Sequence, residues 1–355
     1  MRIGLVGTGR IGTFHTAVLA RHPGVTSLVV ADADPARAAE AAEAARRAGA
    51  AHRTGPSVEA ARSVDELFAS GPDAVVIASA TSAHAELIGR TARAGLPAFC
   101  EKPVALDLAG TRAALAATAA AGTALQLGFM RRFDAGYTAA RDAVRTGLLG
   151  RLHTVRAVTS DPAPPPVGYL PLSGGLYRDC LVHDFDALRW VTGREVVEVY
   201  ATGSDAGPPM FREAGDVSTA AAVLTLDDGT LATATATRRN GAGYDVRMEL
   251  AGEKDQWVVG LDGRTPLTSA EPVGPPPPAD PWPGFLERFG PAYEAELDAF
   301  VALARDGGGG GAVNPCDGYE ALAALRIAEA CERSRREHRP VRLDEVPGAG
   351  DGAAP

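Results

Sequence analysis

The feature that most constrains this chain is a run of glycines at a change of periodicity. Ile3-Gly4-Leu5-Val6-Gly7 reads as a buried strand, Ile11 to Arg21 as a helix, and Gly7-Thr8-Gly9-Arg10-Ile11-Gly12 joins them. Among 41 glycines a lone GxGxxG carries little weight; a strand before it and a helix after it make it a dinucleotide phosphate loop. Gly7 permits the tight turn, Gly9 lets the backbone approach a pyrophosphate, and Gly12 allows close helix–strand packing. Arg10 and Ile11 open the helix, whose free N–H groups and partial positive charge suit phosphate. The next strand ends Val29-Val30-Ala31-Asp32, with Asp32 20 residues beyond Gly12. A carboxylate there suits the adenine ribose hydroxyls and repels a 2′-phosphate, which favours NAD over NADP. Two alternatives stay open: Arg37 lies close enough to meet a phosphate, and Asp32 could cap the helix that starts at Pro35.

The first third keeps alternating apolar strands with Ala-rich helices. Strands are expected at Ser27–Ala31, Ala74–Ala78, Ala98–Cys100 and Ala124–Phe129, with helices at Pro35–Ala48, His84–Ala94 and Leu108–Ala121. Continuous apolar strands between helices imply a doubly wound parallel sheet covered on both faces. From about Gly150 the rhythm changes to strands at Leu152–Thr159, Glu195–Thr202, Ser218–Leu226, Leu231–Thr237, Tyr244–Leu250 and Trp257–Gly260. Asp227-Asp228-Gly229 is a hairpin signal, so this second sheet is mostly antiparallel. Pro275–Pro278 marks a loop that cannot pair inside a sheet. Gly307–Gly311 is a flexible break between helices near Phe285–Arg305 and Pro315–Arg336. The chain therefore divides into residues 1–128, a cofactor domain; residues 129–346, a substrate and assembly domain; and a tail, 347–355, expected to be disordered.

Acidic residues outnumber basic ones, 44 to 35, for a formal charge of −9. No net positive field exists to gather phosphates, which argues against a nucleic-acid or anionic-membrane partner. Ile3–Val6 is only as long as a strand and lacks the basic leader and long apolar core of an export signal. Four scattered cysteines without a CxxC pair make a disulfide framework or thiolate metal knuckle improbable and suit a reducing cytoplasm.

Two clusters carry chemistry. Glu101-Lys102-Pro103 follows the strand Ala98–Cys100, and ligands in an open parallel sheet sit beyond the carboxyl ends of its strands. Lys102 should therefore face the cofactor cleft, although a surface lysine at a strand end has the same spacing. In Asp179-Cys180-Leu181-Val182-His183-Asp184, Asp179 and His183 are four apart and share one helix face. A histidine titrates near neutrality and suits a general base for a hydroxyl proton. The alternatives are a structural histidine at a helix start, or a metal site of Asp179, His183 and Asp186; with no second histidine nearby, no metal is expected.

These residues resemble the glucose–fructose oxidoreductase/inositol dehydrogenase/rhizopine-catabolism (Gfo/Idh/MocA) family along nearly the whole chain. The likeness lies in the N-terminal GxGxxG, Glu101-Lys102-Pro103, Gly128-Phe129-Met130-Arg131-Arg132-Phe133-Asp134, Ser173-Gly174-Gly175 and Asp179…His183-Asp184. The Gly128–Asp134 segment and Asp161-Pro162-Ala163-Pro164-Pro165-Pro166 look most like bacterial inositol 2-dehydrogenases. The resemblance implies a Rossmann domain followed by an α/β domain whose open sheet often forms an oligomer interface, so a homo-oligomer, dimer or tetramer, is expected. It also implies that Lys102, Asp179 and His183 match the family's catalytic set, that Glu101 belongs to the cofactor side, and that Tyr244 and Tyr293 are substrate-side tyrosines. Arg131 would contact substrate or cofactor, or form a structural ion pair. The Pro275–Pro278 loop and the Gly307–Gly311 tract depart from the best-known members, so residues 262–284 should shape the substrate pocket differently.

The leading expectation is oxidation of a small cyclic polyol, most of all myo-inositol to 2-keto-myo-inositol, with NAD. His183 would take the hydroxyl proton, Lys102 would polarise the substrate oxygen, and Asp179 would bind a neighbouring hydroxyl or orient His183. The alternatives are a pyranose dehydrogenase using NAD or NADP, an NAD-dependent glycoside hydrolase, and a non-catalytic NAD-sensing protein.

Overall fold

Strands that are apolar on both faces need cover on both faces, and the first half of the chain supplies it by alternating them with helices. The computed structural model describes residues 1–50, 56–306 and 313–347. The Gly307–Gly311 tract and the tail after Pro347 lie outside the described residues. Along the chain come β1 (Arg2–Val6), α1 (Arg10–Leu19), β2 (Ser27–Ala31), α2 (Pro35–Ala50), β3 (Ser57–Ala60), α3 (Val64–Ala69), β4 (Ala74–Ile77), α4 (Thr81–Arg93), β5 (Ala98–Glu101), α5 (Leu108–Ala121) and β6 (Leu125–Gly128). The six strands form a parallel sheet in the order β3-β2-β1-β4-β5-β6. Strand order therefore reverses between β1 and β4, and in such sheets the ligand crevice opens at the carboxyl ends of the strands at that reversal.

The sheet contains one strand that apolar runs did not announce. β3 buries only Val58 of its four residues, as an edge strand can, so it lacks the continuous apolar signature of its neighbours. Ile3, Leu5, Leu28, Val30, Val76 and Phe99 are fully buried at the centre of the core, joined by Leu297 and Phe300. Those last two come from Pro291–Leu322, which belongs to the same compact unit as Met1–Met130.

The second unit runs from Arg131 to Gly290 and again from Ala323. Beyond β6 the elements are α6 (Ala135–Arg145), β7 (Leu152–Ser160), α7 (Val182–Thr192), β8 (Val196–Ser204), α8 (Met210–Glu213), β9 (Thr219–Leu226), β10 (Leu231–Thr237), β11 (Asp245–Gly252), β12 (Gln256–Val259), α9 (Phe285–Arg305), α10 (Gly318–Glu337) and β13 (Val341–Arg342). Seven strands make a mixed sheet in the order β12-β11-β7-β10-β9-β8-β13, in which β7–β10 is the parallel pair and the other neighbours are antiparallel. Asp227-Asp228-Gly229 turns β9 into β10 as expected, with Thr225 opposite Leu231.

Period-two patterning splits this sheet into a buried and an open face. Ala220, Ala222 and Leu224 of β9 and Ala232, Ala234 and Ala236 of β10 point inward, while Tyr200, Val223, Leu231 and Val258 are exposed. All four cysteines are buried free thiols. Among the described residues, no helix is long and apolar enough to cross a membrane.

Candidate active site

The phosphate loop begins where β1 runs out. Gly7 takes φ +99°, a region costly for any residue with a Cβ, and a Cβ there would collide with the Ser79 backbone just beyond β4. A Cβ on Gly12 would strike the Gly7 carbonyl, so α1 can start this close to β1 only because that residue is glycine. Gly9, at the N-cap of α1, has open space instead: its nearest neighbour would be Arg37 Nη2 at 4.0 Å. Arg10 is exposed and Ile11 half-buried in the first turn that follows.

Asp32 does not cap α2; Asp34 does, accepting the Ala36 N–H at 2.9 Å. Asp32 Oδ2 accepts the Thr8 N–H at 2.6 Å and the Thr8 hydroxyl at 2.9 Å, and Oδ1 accepts the Asp34 N–H at 3.0 Å. Burial works against the charge, but these hydrogen bonds, with Arg37 nearby, hold the carboxyl below its ordinary range. A carboxylate thus stands at the end of β2 and pins the glycine loop.

Lys102 is half-buried one residue beyond β5, and its bond to Pro103 is cis. Glu101, the last residue of β5, is buried, and its Oε1 lies 2.7 Å from Nε2 of the fully buried His15 on α1. Tyr293, also buried, packs its ring against Phe14 at 5.7 Å and His15 at 5.8 Å.

In the second unit Asp179 and His183 are held on a helix that changes pitch between them. Tyr177–Leu181 is a π-helical turn, and α7 continues from Val182 with His183 in its first turn. Four residues amount to about 40° past a full α-turn and to roughly 30° short of a full π-turn, so either pitch keeps the pair on one flank. Asp179 Oδ1 accepts from the Tyr169 hydroxyl at 2.9 Å, and Oδ2 accepts from Arg238 Nη2 at 3.0 Å. Burial alone would lower the Arg238 pKa; Cys180, Asp179 and Asp216 hold it above its ordinary value. Two donors, one of them a guanidinium, fix the plane of the Asp179 carboxyl group.

Arg131, the first residue of this unit, is 1% exposed. Its Nη1 donates to Asp184 Oδ1 at 2.6 Å and its Nη2 to Thr159 Oγ1 at 2.8 Å, while the Thr159 hydroxyl donates to Asp184 Oδ2 at 2.7 Å. Of the two roles expected for Arg131, this is the structural ion pair: it ties β7 to α7 beside His183. Arg132 similarly clasps Asp186 through Nη2 at 2.6 Å and Nε at 3.0 Å. Tyr244 is buried at the entry to β11 with its ring edge-on to Phe289, and burial pushes its pKa up.

Comparison with known proteins gives this arrangement a family. Residues 1–129 match the NAD-binding Rossmann fold of an oxidoreductase family, and residues 137–258 match the Gfo/Idh/MocA C-terminal domain. The chain belongs to the Gfo/Idh/MocA family of oxidoreductases. It is 39% identical over 339 residues to the myo-inositol dehydrogenase Hyg17 of Streptomyces leeuwenhoekii, covering 94% of this chain and 97% of that one. A crystal structure of a myo-inositol dehydrogenase from Corynebacterium glutamicum superposes with a TM-score of 0.82 at 35% identity, covering 97% and 98% of the two chains. The scyllo-inositol dehydrogenase of Lactobacillus casei, solved with NAD(H) and scyllo-inositol, has a TM-score of 0.83 at 27% identity, covering 97% and 99%.

As a Gfo/Idh/MocA oxidoreductase, the chain has an NAD-binding Rossmann domain in its first unit. Several partners of the expected site residues, within each unit, carried no local signal in the sequence. Arg238 is 59 positions from Asp179, Thr159 is 25 from Asp184, and His15 is 86 from Glu101. Tyr169 is nearer, 10 positions ahead of Asp179 in the segment after the proline run.

Proposed function

We propose that this oxidoreductase oxidises a cyclic polyol, myo-inositol first among the candidates, to the corresponding inosose. The observation that supports the reading is the single helix flank shared by Asp179 and His183, with the Asp179 carboxyl group held in place by hydrogen bonds from Arg238 and Tyr169. It is joined by near full-length likeness to inositol dehydrogenases.

The phosphate loop fits a dinucleotide, since Gly9 leaves the approach open and Gly7 and Gly12 are sterically required. Gly7, Gly9, Arg10, Ile11 and Gly12 would hold the pyrophosphate at the start of α1, and Asp32 the adenine ribose, in preference to a 2′-phosphate. Glu101 and Lys102 would lie on the nicotinamide side. NAD, when bound, supplies the acceptor for one hydride. His183 takes the substrate hydroxyl proton as the carbon–hydrogen bond breaks. Lys102 donates a hydrogen bond to the same oxygen and stabilises the charge that develops there. Asp179 accepts from a neighbouring hydroxyl and so fixes which carbon is presented. Tyr244 and Tyr293 would be substrate-side tyrosines, and Arg131 would act through Asp184. The open face of the seven-stranded sheet, with Tyr200, Val223, Leu231 and Val258, would be the surface through which copies associate.

The test is NADH production from a panel of inositol isomers and pyranoses, each with NAD and NADP, for wild type and His183→Ala. Loss of a general base costs about 10²–10⁴-fold, so a variant within about tenfold of wild type would remove His183 from that role. Cleavage of a glycoside without net NADH would replace the dehydrogenase reading with a hydrolase.

A further inference from the structure

Lys102 is one of only two lysines in the chain, the other being Lys254. Arginine serves nearly everywhere else, so the compact ammonium at this position is a distinct chemical choice. A four-carbon stem is flexible, however, and polarising one particular oxygen demands that its root be held still.

Both residues that flank Lys102 are gripped by buried histidines from different helices. On one side, His15 Nε2 stands 2.7 Å from Glu101 Oε1, and the imidazole is walled by Phe14, Phe99 and Tyr293 at centroid distances of 6.2, 5.6 and 5.8 Å. Gly128 on β6 leaves room for the other oxygen, because a Cβ there would come within 2.9 Å of Glu101 Oε2. On the other side, His84, in the first turn of α4 and 1% exposed, has Nδ1 2.7 Å from the Pro103 carbonyl and Nε2 3.0 Å from the Ser79 carbonyl.

Two carbonyls facing one imidazole set a constraint. A neutral ring carries a single N–H, and a carbonyl can only accept. Burial lowers the pKa of His84, and Lys102 adds to that, while the two carbonyls and Glu101 oppose it without reversing it. The ring is therefore neutral at neutral pH and makes one true hydrogen bond. The contact with Pro103 is the shorter of the two, so the grip on the residue after Lys102 runs through Nδ1.

We propose that His15 and His84 are the positioning residues of Lys102, a two-sided clamp that fixes the backbone on either side of it. α1, which carries His15, also begins at the phosphate loop, so one helix would set both the cofactor's phosphates and the lysine's root. This rests on Lys102 acting on the substrate oxygen.

The clamp can be dissected with side chains that keep one nitrogen each. His15→Gln and His84→Asn retain donors at the positions facing Glu101 and Pro103; His84→Gln retains the one facing Ser79; His15→Leu and His84→Leu remove them. Three quantities are read on the full chain: kcat with myo-inositol, NAD Kd by calorimetry, and the acetylation rate of Lys102 relative to exposed Lys254 by peptide mass spectrometry. Misplacing a reacting group by an ångström costs about 10²-fold. The leucine variants should therefore lose about 10- to 100-fold in kcat with NAD Kd changed by less than about threefold, and should shift the labelling ratio. His15→Gln and His84→Asn should restore both, and His84→Gln should not. If the leucine variants do not fold, the contrast between His84→Asn and His84→Gln decides alone. An unchanged labelling ratio, or equal rescue by those two, overturns the clamp. A shifted ratio with unchanged kcat supports the clamp and overturns the role of Lys102.

Discussion

Replacing Arg131 by methionine removes a buried cation and leaves Asp184, itself 1% exposed, with the Thr159 hydroxyl and a backbone N–H but no opposite charge from Arg131. Deleting one partner of such a pair costs about 3–5 kcal/mol, because the remaining charge stays buried. Asp184 has an escape, which is to take up a proton. With an ordinary pKa of about 3.9 and ~1.4 kcal/mol per unit, that costs about 4 kcal/mol at pH 7 and about 2 kcal/mol at pH 5.5. Burial already raises the Asp184 pKa in the wild type against the pull of Arg131 and Thr159; without Arg131 it rises further, so the folded variant binds the extra proton and its deficit shrinks as pH falls. Urea unfolding followed by tryptophan fluorescence suits this test, since Trp190, Trp257 and Trp282 all lie in the second unit with the ion pair. Arg131→Met should be about 3–4 kcal/mol less stable than wild type at pH 7 and roughly 2 kcal/mol less stable at pH 5.5. Arg131→Met/Asp184→Leu should recover most of the loss and lack the pH dependence. A deficit below about 1 kcal/mol at pH 7, or one equal at both pH values, would refute a buried, ionised pair.

Asp32→Asn keeps the shape that accepts from Thr8 but removes the charge; the ratio of kcat/KM for NAD over NADP should fall by about tenfold, roughly 1.4 kcal/mol. An unchanged ratio would leave coenzyme choice to Arg37 or another group. Gly12→Ala forces a Cβ into the Gly7 carbonyl, and overpacking of this kind costs about 1–3 kcal/mol. NAD Kd by calorimetry should rise with the lowered melting temperature, and wild-type binding would show that the loop can shift without loss.

The two sheets were legible because their periodicities differ. Arg2–Val6 and Ser27–Ala31 are apolar through most of their length, as strands covered on both faces must be. Thr219–Leu226 and Leu231–Thr237 alternate, as strands open on one face must. β3 was not legible, because an edge strand needs only Val58 to face the core. Asp32 was legible as a carboxylate at a strand end but not in its detail: its hold on Thr8 depends on β1 and β2 lying side by side.

Local rules of chain geometry thus determined the strand–glycine–helix junction, the carboxylate after β2, and the flank shared by Asp179 and His183. Those features depend on residues close in sequence or on a turn that only glycine can make. Tertiary structure alone decided how they are held. The donors to Asp179, the ion pair that occupies Arg131, and the histidines on either side of Lys102 join residues from 10 to 86 positions apart. A hydrogen bond depends on proximity and direction in space, and a one-dimensional pattern records neither once the partners belong to different elements.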